Sequence, residues 1–101
     1  MISVREHPHG KSDLLLAACD SDLLGKIFHD KARGLKLEVK KDFYEGKIVS
    51  IEEFEKHLKK ATIANLVGHK VVQKALELGL VVETSILKIG GVPHVQIVQS
   101  F

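Results

Sequence analysis

The sequence is short of several residue types, and each shortage excludes a class of protein. Its 101 residues include one cysteine, Cys19, which excludes a fold held by disulfides within the chain. No apolar run approaches the roughly 20 residues that cross a bilayer, and the first 20 residues contain no signal-peptide core. We therefore expect a cytoplasmic protein without a membrane partner. The hydrophobic content of 45% excludes intrinsic disorder, and the length predicts a single domain over residues 1–101.

Net charge is low as well, but the positive charge is unevenly distributed. Fifteen basic and 13 acidic side chains leave +2, which by itself does not indicate a nucleic-acid partner. Residues 31–60, however, carry nine basic and six acidic side chains. The positive charge is concentrated at Lys31, Arg33, Lys36, Lys40 and Lys41. Of the few aromatic residues, Phe43 and Tyr44 lie next to this stretch, where a surface that stacks bases would need aromatic rings.

Alternation of apolar and polar side chains predicts several strands. Ile2–Glu6 alternates, and the continuous apolar run Asp13–Cys19 is typical of a buried strand. We expect these two strands to pair as a hairpin across a turn at residues 7–11, which contain proline and glycine. Leu35–Lys40 has the clearest alternation and predicts a strand with one face in water. Thr62–Gly68 fits a strand, a loop or the start of a helix, and its state stays open.

Capping residues and helical spacing predict two helices. Ser50 and Glu53 form a capping box, and apolar residues follow it at helical spacing. His69–Leu78 predicts a second helix, ended by a glycine. The segment over residues 80–89 is strand-rich, and His94–Val98 predicts a closing strand after a glycine turn. This order indicates an α+β fold, with a mostly antiparallel sheet and two helices packed on one face.

Four short segments stand out as a set. They are Cys19-Asp20 followed by Leu24-Gly25, Phe43–Gly46, Ala64–Gly68 and Gly90–His94. In this order and spacing they resemble an archaeal family of unknown function, numbered 424, over nearly the whole chain. The resemblance implies a small, stand-alone cytosolic protein of archaea, and it implies no reaction. The connection over residues 29–33 departs from the family pattern, so the resemblance implies no shared role for Lys31 or Arg33.

Two segments combine residues that could hold a small ligand. Asn65 and Gly68 precede a helix, whose free N–H groups attract anions. The alternative is an asparagine that caps the helix or ties down a loop. Gly90 and Gly91 allow a ligand to approach the backbone closely, but they also suit a hairpin turn. A hairpin turn does not require a histidine. His94 is therefore the residue of this segment whose presence a purely structural role explains least.

Catalytic and metal-binding patterns are weak. No catalytic signature surrounds Cys19-Asp20, which we interpret as a small buried residue followed by an aspartate that caps the next turn. His7 and His9 have no accompanying CxxC or HxxxH spacing, which favours two exposed turn histidines over a metal site. We predict no catalytic residue, metal or cofactor. Whether the protein is an enzyme stays open.

The basic stretch supports the first functional hypothesis, a non-enzymatic binding module for RNA or a ribonucleoprotein partner. Lys36 and Lys40 lie on the wet face of the predicted strand, with Lys41 beside them and Tyr44 as a candidate stacking residue. Glu38 lies between the two lysines and weakens the patch. The alternative is a solvated strand whose lysines prevent aggregation.

A second hypothesis belongs to a different class, a small enzyme or ligand-binding protein. Its pocket would be formed by residues 65–68 and 90–94, which come from separate parts of the chain. This hypothesis requires Asn65 and His94 to lie on the same face of the fold. A third possibility is an obligate oligomer formed through an exposed strand edge.

Overall fold

Eight strands and three α-helices follow one another along residues 1–99, the part of the chain that the computed structural model describes. The strands are β1 Ile2–His9, β2 Asp13–Asp20, β3 Ile27–Asp30, β4 Leu35–Glu38, β5 Lys47–Val49, β6 Ile63–Val67, β7 Leu87–Ile89 and β8 Val92–Val98. The helices are α1 Lys41–Tyr44, α2 Ile51–Lys60 and α3 His69–Glu77. The predicted α+β class is confirmed. Within these residues, no helix is long and apolar enough to cross a bilayer.

Six of the strands form one sheet in the order β5-β1-β2-β6-β8-β7, and β3 pairs with β4 in a separate two-stranded sheet. Neighbours in the large sheet are antiparallel except for β2 and β6, which are parallel. A mostly antiparallel sheet was predicted and is confirmed. The parallel pair was not predicted, because it depends on a long crossover connection that brings β6 beside β2.

The first hairpin is longer than predicted. β1 and β2 pair from Ile2 opposite Asp20 to His9 opposite Asp13, so Pro8 belongs to a strand and not to the turn. Because β5 pairs with residues 2–4 alone, β1 is an edge strand at Pro8, where a missing N–H is tolerated. His7 is also part of the strand. Its Nε2 lies 2.9 Å from the carbonyl oxygen of Phe43, which corrects the expectation of an exposed turn histidine.

The ambiguous segment at residues 62–68 contains a central strand. β6 lies between β2 and β8, and Ala64, Leu66 and Val67 are fully buried. Conversely, the strand-rich segment at residues 80–89 contains only the short strand β7, preceded by a 3-10 turn at Glu83–Ser85. In both places the neighbouring strands decide the outcome, because a short apolar run does not by itself specify a strand.

Two hydrophobic clusters make up the core. The first contains residues of the two longer helices and of the sheet, such as Leu16, Ala18, Phe54 and Val71. The second contains sheet residues together with residues of β4 and α1, such as Ala17, Cys19, Leu37 and Tyr44. Since consecutive residues of a strand point to opposite faces, the clusters lie on opposite sides of the large sheet. The prediction of two helices missed α1, which contributes to the second cluster.

Candidate functional site

The N-terminus of α3 is occupied by a carboxylate of the chain itself. Asp20 ends β2 and is buried, and its two carboxylate oxygens accept hydrogen bonds from the backbone N–H groups of Lys70 and Val71, at 3.0 and 3.2 Å. These are the free N–H groups that would otherwise attract an anion. The turn that follows Asp20 receives no side-chain cap from it. Asp20 therefore caps a helix that begins 49 residues later in the chain, not the next turn as we expected.

Gly68 is explained by its contacts with this carboxylate. Its φ of +122° lies in a region that side chains rarely adopt, and a Cβ there would come within 2.5 Å of the Asp20 Cγ. The Gly68 N–H donates a 2.9 Å hydrogen bond to the carbonyl of Pro93. These contacts account for a glycine at position 68 without any ligand.

Asn65 and His94 lie on the same face of the large sheet. Asn65 is opposite Gln96, and Val67 is opposite His94, so Asn65 and His94 are diagonal neighbours, roughly 7–8 Å apart. Both are half-buried. Burial lowers the pKa of the His94 imidazole below its usual value, which favours the neutral ring. The geometric condition that the second hypothesis requires is therefore met.

The glycine pair forms the turn between β7 and β8. Gly90 and Gly91 have φ values of +57° and +80°, which a two-residue hairpin turn of this type requires. A Cβ on Gly90 would lie 3.2 Å from the His29 carbonyl oxygen, so this turn packs against β3. The structure thus brings Asn65 and His94 together, while Gly68 and Gly90 have separate structural contacts.

Residues 26–41, here called the basic hairpin, contain β3, β4 and the first residue of α1. Six of the side chains are basic and two are acidic. Five of the basic residues are exposed lysines, namely Lys26, Lys31, Lys36, Lys40 and Lys41. None of the five forms an ion pair with a partner in residues 1–99. The sixth basic residue, Arg33, is bound to Asp30 and also donates to the carbonyl of Lys88, which ties the hairpin to β7.

The aromatic residues beside the basic hairpin are part of the core. Tyr44 is 6% exposed, and burial raises its pKa to about 12. Its ring is therefore out of reach of a base, which corrects our prediction of a stacking role. Phe43 is half-buried and stacks on His7, with the ring centroids 4.8 Å apart. Any contact of this surface with nucleic acid must therefore depend on the lysines.

Cys19 has the properties of a core residue. It is fully buried in the second cluster, and burial raises the pKa of its thiol to about 12. A thiolate, the form that reacts and binds metals, is strongly disfavoured there. Histidine, cysteine and acidic residues within residues 1–99 nowhere gather in a group of three that could hold a metal ion.

One cavity was not anticipated from the sequence. It has a volume of about 120 Å³ and lies between α3 and β7. Its polar lining is His69, Gln73, Glu83 and Lys88, and its apolar lining is Val72, Leu76, Ile86 and Pro93. The spacing of residues 69, 72, 73 and 76 is the feature of the sequence that could have indicated this cavity, because it places these residues on one face of a helix. Of the predicted ligand segments, only Pro93 contributes to it.

Comparisons with known proteins extend this description. A family model described as a protein of unknown function (DUF424) matches residues 8–99. A crystal structure of an uncharacterized conserved protein from Methanopyrus kandleri is similar to the chain, with a TM-score of 0.79 and 30% sequence identity. That similarity covers 99% of this chain and 94% of the other. Comparison with curated proteins gives no significant match. The similarities therefore concern the fold and the family, and they name no ligand.

Proposed function

We propose that this chain, which belongs to the DUF424 family of proteins of unknown function as its four sequence segments predicted, is a binding module whose basic hairpin contacts RNA. The family suggests no ligand, so the functional hypothesis comes from the surface of the chain itself. The observation that carries the proposal is the set of five exposed lysines without an ion-pair partner in residues 1–99. Four of the eight lysines elsewhere in the chain are paired with glutamates, namely Lys56, Lys59, Lys60 and Lys74. Since no ion pair within residues 1–99 occupies these five lysines, they are available to an anionic partner.

The arrangement of the lysines suits an extended polyanion. Lys36 and Lys40 are four residues apart in extended chain, roughly 13 Å, on the outer face of the hairpin. His29 is opposite Lys36 on the same face. Asp30 is bound to Arg33. Glu38 is therefore the one acidic side chain of residues 26–41 whose negative charge offsets that of the five lysines. Positive charges along this face attract the phosphates of a strand and release their counterions.

Phosphate contacts, rather than base stacking, would provide most of the affinity. The aromatic residue of the basic hairpin, Phe28, is half-buried and packs against the second cluster. Binding should therefore depend strongly on salt. The ligand pocket of residues 65–68 and 90–94 has less support, because Gly68 and Gly90 are explained by internal packing.

The test measures the affinity for a labelled 12-nucleotide RNA by fluorescence anisotropy between 50 and 200 mM KCl. If all five lysines contact phosphates, affinity falls about 100-fold over this range, since each contact contributes roughly 0.7 to the logarithmic slope. Lys36→Glu with Lys40→Glu should weaken binding and reduce that slope by about 1.4. The matched control is Lys11→Glu with Lys56→Glu, which makes the same change in net charge at exposed sites outside the basic hairpin.

Two outcomes would refute the proposal. One is no binding at 50 mM KCl, which would leave the lysines as the solvated face of a strand. The other is equal weakening by the hairpin pair and the control pair, since that would indicate a response to net charge and not a site. Circular dichroism of each variant checks that the fold is retained.

A further inference from the structure

We infer that the cavity between α3 and β7 binds a small zwitterion, namely an α-amino acid with a short aliphatic side chain. One wall of the cavity comes from α3, and the other comes from residues 83–88 together with Pro93. The basic hairpin contributes no residue to either wall, so the inference goes beyond the proposed function and does not depend on it.

The deeper part of this cavity is apolar. Val72 and Pro93 are buried, and Leu76 and Ile86 are half-buried. Because these four are the least exposed residues of the lining, they form its floor. The volume of about 120 Å³ is below the roughly 150 Å³ in which an apolar cavity holds a benzene ring. A branched aliphatic chain of about three or four carbon atoms therefore fits the floor, and an aromatic side chain does not.

The rim of the cavity is polar. Its four side chains are exposed, namely His69, Gln73, Glu83 and Lys88. His69 and Gln73 are one helical turn apart on α3, which brings their Cβ atoms to roughly 5–6 Å. None of the four side chains forms a hydrogen bond or an ion pair with another residue in 1–99. The rim thus presents donors and acceptors that the chain itself leaves free for a ligand.

Glu83 and Lys88 bring opposite charges to this one rim without pairing with each other. A simple anion beside Lys88 would also face Glu83, and a simple cation beside Glu83 would also face Lys88. Each would be attracted by one charge and repelled by the other. A zwitterion satisfies both residues, because its ammonium donates to the Glu83 carboxylate while its carboxylate accepts from the Lys88 ammonium.

An α-amino acid also matches the arrangement of rim and floor. It carries its ammonium and its carboxylate on the same carbon atom, so both charges stay at the rim while the side chain enters the apolar floor. An amino acid with its charges at opposite ends of a methylene chain would either bring a charge against Val72 or leave the floor empty, and an unpaired charge against an apolar wall is costly. The Gln73 amide is a further donor for the ligand carboxylate.

The experiment titrates the ¹⁵N-labelled protein with L-valine at pH 7 and constant ionic strength, and follows the backbone amide signals of residues 69–76 and 83–88 by NMR. Two matched probes are isovalerate, which is valine without the ammonium, and isobutylamine, which is valine without the carboxylate. We expect valine to bind about tenfold more tightly than either probe, because each lacks one charge-assisted contact. Phenylalanine, whose ring exceeds the cavity, should bind about tenfold more weakly than valine.

Two variants each remove one charge from the rim. Glu83→Gln should weaken valine binding about tenfold and remove the advantage of valine over isovalerate. Lys88→Gln should weaken it by a similar factor and remove the advantage over isobutylamine. The matched controls are Glu77→Gln and Lys11→Gln, which make the same chemical changes at exposed residues outside the cavity and should leave the affinity unchanged.

Three outcomes would overturn the inference. The first is the absence of any valine-dependent shift of these amide signals up to about 50 mM, well above the millimolar affinity expected of so small a ligand. The second is isovalerate or isobutylamine binding as tightly as valine, since the cavity would then recognise a single charge. The third is an equal loss of affinity in the rim variants and in the controls. All four substitutions are at exposed positions, and the amide spectrum of each variant checks that the fold is retained.

Discussion

The contact between Asp20 and Gly68 allows a quantitative test of how this fold is held together. Asp20→Ala removes two hydrogen bonds between a buried carboxylate and the first turn of α3. Hydrogen bonds to charged groups contribute roughly 1.5–3 kcal/mol each, and helix caps cost roughly 0.5–2 kcal/mol when removed. We therefore expect the free energy of unfolding to fall by about 3 kcal/mol. Asp22→Ala, at an exposed aspartate of the same segment, should change it by less than about 0.5 kcal/mol.

The companion variant, Gly68→Ala, destabilises for two separable reasons. Its backbone conformation costs a residue with a side chain roughly 1–3 kcal/mol. In addition, the new Cβ would lie 2.5 Å from the Asp20 Cγ, which forces the carboxylate out of its position. In the double variant there is no carboxylate to displace, so Gly68→Ala adds only its backbone cost to the loss caused by Asp20→Ala. The combined loss should be smaller than the sum of the single losses by about 1–2 kcal/mol.

Urea unfolding followed by circular dichroism measures all four proteins of this cycle. An unchanged dependence of the free energy on urea concentration would show that the variants unfold from the same compact state. Strictly additive losses would refute the argument that Gly68 exists to make room for Asp20. A loss below 0.5 kcal/mol for Asp20→Ala would refute the capping role itself.

Two further predictions concern other ionisable groups. Glu6→Gln should lower the free energy of unfolding at pH 7 by about 1 kcal/mol, because His57 and then Lys60 hold the pKa of this carboxyl below its usual value. That advantage is present above the ordinary glutamate pKa of about 4.3 and is lost as pH falls through the lowered pKa, with Glu52→Gln, at an exposed glutamate of α2, as the control. Cys19 should react with a thiol reagent at pH 8 only after urea unfolding, because burial raises its pKa to about 12; rapid labelling of the folded protein would contradict this.

Local sequence signals predicted the helices well. The Ser50 Oγ accepts a 3.1 Å hydrogen bond from the Glu53 N–H, and α2 begins at Ile51 as the capping box indicates. The second predicted helix begins at His69, as expected, and is followed by Gly79 with a φ of +73°. Such signals are readable because the capping partners lie within a few residues of each other.

The candidate site was predicted less completely. The sequence identified Lys36, Lys40 and Lys41 as exposed cations, and the structure places all three at the surface. It also identified Asn65, but not its partner Gln96, because nothing local marks which residue lies opposite in a neighbouring strand. The stacking role assigned to Tyr44 was wrong, because an aromatic ring next to a basic stretch suits the core and the surface equally well until the packing is known.

By itself, the sequence determined the α+β class, the two longer helices, the first hairpin and the location of the basic stretch, since each depends on residues that are close together in the chain. Only the tertiary structure decided that residues 63–67 form a central strand parallel to β2 and that the Asp20 carboxylate occupies the start of α3. It alone placed Asn65 beside Gln96. These features join segments 30 to 50 residues apart, and their energies depend on which groups are buried together, which no local pattern encodes.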